Sequence, residues 1–445
     1  MNDYLDLSTS LYTKTLTLFV GTGFSKYMTD GKAPSWLELL VKCTKKIDKK
    51  DILLNQLFNL DSSGKPKEAI YELTICAQIL EIEYKKNKKN IKEAIAEIIR
   101  DSVNETTINS DKLELIQNFF HEYPDINIIT TNYDTLFSDY IISTNSRVII
   151  EGSTMPRINI GQNIYHIHGS ILKPESIVLT LNDYYNFQNN NNYFSRKFYT
   201  LLQETTVAIL GYSLGDFNLN TILNEVKSTR KQSFRKSDIY YVNKSSIPEI
   251  ISKFYNLTYG IKTIEDQQID EFFENIDKVY DKGKELIESA NDLLDVIARK
   301  SEFVDDFLKL RIALPTILMQ ASSLGIEANN KDFLKVLLDI LNKKREFTRE
   351  DNAWPQYECL ADWLIEVASS IEIKDTEIEN EFCDLVKYSF KYSSKVKYRG
   401  YSWYAWKQWN SKWHEMKIEN QIMLEDLIKS NTWDKDLEIE LIYKS

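Results

Sequence analysis

Asn132, within Thr130-Thr131-Asn132-Tyr133-Asp134, and His168, within His166-Ile167-His168-Gly169, are the residues of this chain best suited to chemistry. A neutral amide in a ligand crevice can hold a ribose hydroxyl, a carboxamide or a water. A histidine at the edge of a cleft titrates near neutral pH and can act as a base. Two of the four histidines of the chain fall in the second cluster. Residues two apart on a strand face the same way, so the spacing places His166 and His168 together. A metal pair is the other reading of that spacing, but no third ligand accompanies it at a recognisable distance in sequence. Asp134 either caps the following helix or adds negative charge beside an oxocarbenium ion. Asn132 can itself be a cap.

Two glycine-bearing segments complete the set. Gly21-Thr22-Gly23-Phe24-Ser25 follows an apolar run and precedes a helical pattern. Gly21 permits a tight turn, Gly23 lets backbone N–H groups approach a pyrophosphate, and Ser25 can cap the helix or touch a phosphate. The third glycine of the usual dinucleotide fingerprint is missing, and a plain structural turn is the alternative. Gly211-Tyr212-Ser213-Leu214-Gly215-Asp216 has the glycines and hydroxyl of a loop wrapped round a ribose or phosphate, or of a simple strand-to-helix turn.

These segments need strands to carry them. Leu16 to Val20 is short, apolar and stopped by glycine, the mark of a buried strand. Asn127–Thr130, Arg147–Ile150, Ile164–Ile167, Ile177–Leu181, Val207–Leu210 and Ile239–Val242 have the same character. Helical patterns such as Trp36 to Ile47 and Asn90 to Val103 lie between them. Such alternation predicts an α/β fold, doubly wound on a mostly parallel sheet. In that fold the carboxyl ends of strands line the ligand crevice, and all four chemical segments end strands. After about residue 270 the strands stop. Amphipathic patterns at Gln267–Ile297, Val304–Leu314, Lys331–Leu341, Cys359–Ser370 and Glu377–Tyr392 predict an α-helical second domain. The boundary falls near 275, giving domains 1–275 and 276–445. Trp403, Trp406, Trp409 and Trp413 recur at three, three and four residues and so share a helix face, either as a packing stripe or as an interaction surface.

Bulk properties set limits. The 445 residues are too many for one ordinary core, and 43% hydrophobic with 27% charged is a soluble, globular composition. A formal net charge of -11 argues against a generally nucleic-acid-binding surface. Cys43, Cys76, Cys359 and Cys383 are scattered, with no Cys-x-x-Cys pair, which argues against a zinc ribbon and suits a reducing cytoplasm. The first residues lack the basic start and apolar core of a signal peptide, and no apolar run is long enough to span a bilayer.

The four segments, in this order and at these spacings, resemble the sirtuin family. Within it they resemble the bacterial sirtuin-like branch of anti-phage defence systems, such as Thoeris and the sirtuin–HerA pairs. Family proteins carry a Gly-x-Gly-x-Ser turn, a Thr-x-Asn-x-Asp segment, a His-Gly pair and a late Gly-x-Ser loop. Here Gly21, Gly23 and Ser25, then Thr130, Asn132 and Asp134, then His168 and Gly169, then Gly211 and Ser213 match them. The likeness covers about residues 10 to 265. Deacylating sirtuins carry a four-cysteine zinc module before the late loop, whereas residues 170–210 hold no cysteine here. That interval has Val178-Leu179-Thr180-Leu181-Asn182-Asp183-Tyr184, and Lys32-Ala33-Pro34-Ser35-Trp36 stands where deacylases have Pro-Asp-Phe-Arg; both are similar to the defence branch.

The resemblance implies a Rossmann-like sirtuin domain and hydrolysis of NAD+ to ADP-ribose and nicotinamide. It makes Asn132 and His168 the catalytic pair, with His168 the general base and Asn132 orienting ribose and water. It implies dinucleotide contacts from the Gly21, Thr22, Gly23, Phe24 and Ser25 turn, from Thr131 and Asp134, and from Gly211 and Ser213. No metal is required. The implied setting is abortive anti-phage defence in the cytoplasm, as a homo-oligomer, with a HerA-type partner ATPase or a phage-derived trigger acting through the helical domain. A non-hydrolysing NAD- or ADP-ribose-binding module, a lysine deacylase and a nucleic-acid-binding or nuclease component are the alternatives.

Overall fold

The computed structural model describes residues 2–430 except 48–50, 63, 143–145, 151–160, 190–192, 215–221, 224–225, 227–238, 290–292 and 396–401. The chain forms two units that part between Asp281 and Lys282.

The first unit is built on seven parallel strands. In chain order they are β1 (Leu16–Val20), β4 (Asn127–Thr130), β5 (Ser146–Ile149), β6 (Gln162–His166), β7 (Thr206–Leu210), β8 (Ile239–Val242) and β9 (Ile261–Ile264). A separate antiparallel pair, β2 (Phe58–Leu60) and β3 (Pro66–Ala69), forms a small second sheet. The main sheet runs β5-β6-β4-β1-β7-β8-β9. The chain leaves β1 to one side through β4 and returns on its other side through β7, so β1 sits at the topological switch point, where ligands bind in such sheets.

The apolar runs explain why these strands are buried on both faces. Leu18 and Val20 pack in one core cluster with Ile128, Leu210 and Phe272. Phe19, between them, packs in another with Ile129, Phe198 and Ile209. Side chains alternate across a strand, so a continuous apolar run fills both sides of a parallel sheet covered by helices.

Register aligns the carboxyl ends. Val20 is level with Thr130 on one side and Leu210 on the other, and Thr130 is level with His166. The segments after β1, β4, β6 and β7 therefore emerge along a single edge.

The β2–β3 pair lies outside the expected strands, and in the main sheet two assignments differ from expectation. Residues 177–181 form no strand: the Asp183 carboxylate accepts the Leu179 and Thr180 N–H groups at 3.1 and 3.0 Å, and the Tyr133 hydroxyl donates to the Val178 carbonyl at 2.8 Å. Side chains thus satisfy this backbone, and a helix starts at Leu181. Conversely, β9 completes the sheet just after Gly260, whose φ of 69° ends the helix Glu249–Tyr259.

The second unit is helical in its described residues. The long 267–297 pattern breaks into Ile269–Asp277, which belongs to the first unit, Tyr280–Ser289, which straddles the division, and Leu293–Ile297. Lys331–Phe347, Trp354–Ser370, Glu379–Lys391 and Trp403–Lys412 follow. Trp409 and Trp413 are buried, and Trp403 and Trp406 are half-buried. Trp409 donates Nε1 to Ser389 Oγ at 3.0 Å and packs on Phe390 with ring centroids 4.7 Å apart. The buried half of the tryptophan stripe is helix-packing core.

Candidate functional site

The loop after β1 has no room for side chains at its glycines. Gly21 N–H donates to Leu210 O at 3.0 Å, and Gly23 N–H to Gly211 O at 2.7 Å. A Cβ on Gly21 or Gly23 would come within 2.7 Å of the Gly211 carbonyl, and one on Gly211 within 2.2 Å of Phe24 N. Gly211 also has φ +60°, where glycine is strongly favoured. The glycines of the two motifs therefore let the β1 and β7 loops close on each other, and the Gly23 N–H is engaged by protein. The helix Thr22–Met28 starts immediately after Gly21. The N–H of its first residue, Thr22, has no intrahelical acceptor. Phe24 points away from the cavity into the core, fully buried and stacked on Phe137 at 5.0 Å.

Ser25 is neither a cap nor the start of a helix. It lies in the fourth helical position and bridges the two polar residues of the β4 loop. Its Oγ accepts Asn132 Nδ2–H at 2.9 Å and donates to Asp134 Oδ2 at 2.7 Å. Asn132 Nδ2 makes a second bond, to Gly21 O, at 3.0 Å. A carbonyl only accepts, so the amide orientation is fixed with Nδ2 toward the glycine turn. Asn132 Oδ1 is left buried, with no hydrogen-bond partner among the described residues. Asp134 is also buried; its Oδ1 accepts the Leu136 N–H at 3.1 Å, the cap-like role of its two readings. Burial pushes the Asp134 carboxyl up, and the bonds from Ser25 and Leu136 pull the other way.

The two histidines do not act as a pair. β6 ends at His166, so the period-two rule does not extend to His168, which sits in the following turn. His166 Nδ1 lies 3.0 Å from the Asn132 carbonyl, and since that oxygen only accepts, Nδ1 carries the proton. Burial pushes the His166 pKa down to about 4, against the pull of the Asn132 and Gly169 carbonyls. His166 is thus a neutral brace beneath the asparagine. The turn after it requires glycine: Gly169 has φ +83°, and a Cβ there would meet Ser176 O at 2.3 Å. His168 swings to the cavity side, its ring edge-on to Tyr184 at 5.6 Å.

These elements enclose a cavity of about 960 Å³ at the carboxyl edge of β1, β4 and β7. That is the upper part of the range of about 300–1,000 Å³ for small-molecule sites. Thr22, Ser25, Thr131, Asn132, Asp134, His168 and Ser213 all line it; Gly21, Gly23, Phe24 and Gly211 shape it from behind. Gly215 and Asp216 of the late loop lie outside the described residues. Sequence reasoning did not assign site roles to Trp36, Tyr184 or Tyr212, which form an aromatic wall of the same cavity. The signal was available for Trp36. It opens a helix behind Ser35, whose N–H and hydroxyl both donate to Glu38 Oε2, at 2.6 and 2.8 Å, as in a capping box.

Residues 126–264 match the SIR2-like domain family. That stretch of the chain is sirtuin-like. The matched span holds Asn132, His168 and Ser213, and the glycine turn that precedes it packs directly against the span's Gly211. Over 255 residues the chain is 26% identical to Defense-associated sirtuin 2 of Bacillus subtilis, a stretch that is 56% of this chain and 23% of that protein. The chain thus matches about a quarter of the length of that relative. Among the described residues no three His, Cys, Asp or Glu side chains group as a metal site, and no helix is long and apolar enough to cross a membrane. All four cysteines are buried and unbridged.

Proposed function

We propose that this sirtuin-like chain is an NAD+ glycohydrolase, converting NAD+ and water to ADP-ribose, nicotinamide and a proton. The observation that carries the reading is the Asn132 amide. Two donated bonds hold it rigid, and its buried oxygen has no partner among the described residues, within a cavity that His168 also lines. A buried acceptor left unpaired costs about 1–3 kcal/mol, which a ligand hydroxyl or water bonded to it would recover.

In this scheme the C1′–N bond breaks with its electron pair going to the pyridinium nitrogen, so nicotinamide leaves neutral without a general acid. The ribose passes through an oxocarbenium-like state. Water adds to C1′ and gives up a proton to His168, directly or through a ribose hydroxyl. Asn132 Oδ1 orients that hydroxyl or water. Thr22 and Ser213 face the pyrophosphate and adenosine ribose. None of these steps calls on a metal.

The similarity to a defence-associated sirtuin supports a biological role in which NAD+ depletion halts an infected cell. We place that activity in the cytoplasm. We assign residues 1–275 the chemistry and 276–445 assembly, sensing or docking, with homo-oligomerisation, a HerA-type ATPase or a phage-derived trigger as the controlling event. Purified protein is incubated with NAD+ over a range of protein concentrations, and products are identified by chromatography and mass. ADP-ribose and free nicotinamide without an acyl-peptide co-substrate support the reading. Intact NAD+ at every concentration, or release only with acyl-lysine peptide, overturns it.

A further inference from the structure

A second orphaned polar group lies in the same cavity wall. Trp36 Nε1–H is buried and has no hydrogen-bond partner among the described residues. A buried indole N–H ordinarily finds an acceptor. The position of Trp36 is set from both sides. Ser35 and Glu38 cap its helix, and Glu38 pairs with Lys26 of the helix after the glycine turn at 2.7 Å. Its ring stacks on Tyr184, with centroids 5.9 Å apart and planes 19° apart. Tyr184 in turn meets the His168 ring at 5.6 Å. Tyr184 is held where its helix begins by the Thr180 and Asp183 bonds and by Lys92, 3.1 Å from Asp183.

We propose that Trp36 is a specificity residue: its indole N–H donates to the carbonyl oxygen of the leaving ring's carboxamide, and the Trp36–Tyr184 stack forms the wall beside that ring. The inference rests on the NAD+ reading above. The contact chain from Trp36 through Tyr184 to His168 ties it to the ribose that reacts, so the ring on that ribose is the one within its reach. A pocket that reads a carbonyl with a buried donor rejects an analogue lacking it, because the donor then stays unpaired.

The test measures binding, which removes differences in leaving-group reactivity. Calorimetry on His168→Ala protein compares NAD+ with an analogue whose pyridinium ring carries no carboxamide, each with and without Trp36→Phe, which keeps an aromatic ring and deletes the N–H. Trp36→Phe should weaken NAD+ binding about tenfold, as expected for one buried bond lost, and leave the bare-ring analogue within about twofold. Equal losses on both ligands, or no loss on NAD+, overturn the role of Trp36 while leaving NAD+ recognition standing. Absence of binding by NAD+ itself overturns the functional reading and this inference together. If Trp36→Phe does not fold, the comparison is made with Trp36 intact: the 3-acetylpyridine analogue, which retains the carbonyl, should match NAD+, and the bare ring should bind about tenfold more weakly. Equal binding of all three overturns the proposal.

Discussion

Ser25→Ala tests whether the asparagine is held by the structure or merely lies near it. The hydroxyl accepts from Asn132 Nδ2 at 2.9 Å and donates to Asp134 Oδ2 at 2.7 Å, with all three residues buried. Removing it orphans one amide hydrogen and one carboxyl oxygen. Each buried group left unpaired costs about 1–3 kcal/mol, so the folded state should lose about 2–6 kcal/mol. Asn132 keeps the Gly21 carbonyl but loses its second anchor, so the amide can rotate off its working orientation. Turnover of NAD+ should fall about 10- to 100-fold. Urea unfolding reports the first quantity and nicotinamide release the second. The decisive comparison is the double variant. If Ser25 acts through Asn132, then Ser25→Ala added to Asn132→Ala costs no further turnover, since residues acting as a unit are non-additive. Independent, multiplying losses would refute the bridge as the means by which Asn132 is oriented.

Other outcomes follow from the same geometry. His168→Ala should lower NAD+ cleavage by about 10²–10⁴ with the fold unchanged by circular dichroism, and near-normal turnover would remove it from the mechanism. Asn132→Ala should lose turnover yet still bind ADP-ribose by calorimetry, because the pyrophosphate contacts lie elsewhere; loss of both would make it a folding or binding residue. The His166 ring resists in the fold the proton that the unfolded chain takes up near pH 6.5, so its contribution to stability is intact above that pH and declines as pH falls toward about 4. At about 1.4 kcal/mol per pH unit the loss is about 3 kcal/mol, and His166→Gln, which keeps an N–H for the Asn132 carbonyl, should flatten the decline in urea titrations across that range; an unchanged slope would contradict the burial argument. Trp409→Ala should destabilise the second unit by about 3–5 kcal/mol, since Trp409 is fully buried between Phe390 and Ser389, and a melting curve that does not move would show the stripe is not core.

Much of the first unit was legible in residue order. Short runs dominated by apolar residues and stopped by glycine or a polar residue mark β1, β4, β7 and β8, because a strand buried on both faces favours apolar side chains; Thr17, buried within β1, is bonded by Thr205 Oγ1 at 2.9 Å. Since the carboxyl ends of parallel strands share an edge, placing Asn132, His168 and Ser213 after strands also placed them in one crevice. The helical character of the chain beyond 280 was readable from its 3.6-residue periodicity, although not where that pattern breaks into separate helices.

Tertiary structure decided what each residue does there. The period-two rule joined His166 to His168, but the strand stops at His166, and burial makes one a neutral brace while the turn carries the other to the cavity. The glycine turn was legible as a close approach, yet what approaches is the backbone at Gly211, some 190 residues away in sequence. Ser25 matched a helix-start pattern and became instead the link between Asn132 and Asp134, a role set by two loops that meet only when β1 and β4 pair. Trp36 opened a predicted helix and Tyr184 closed a segment similar to the defence branch; only the fold stacked the two rings and set Tyr184 against His168. A sequence carries local propensity and the period of burial; which buried polar atoms find partners, and which are left for a ligand, depends on distances between segments that no local pattern encodes.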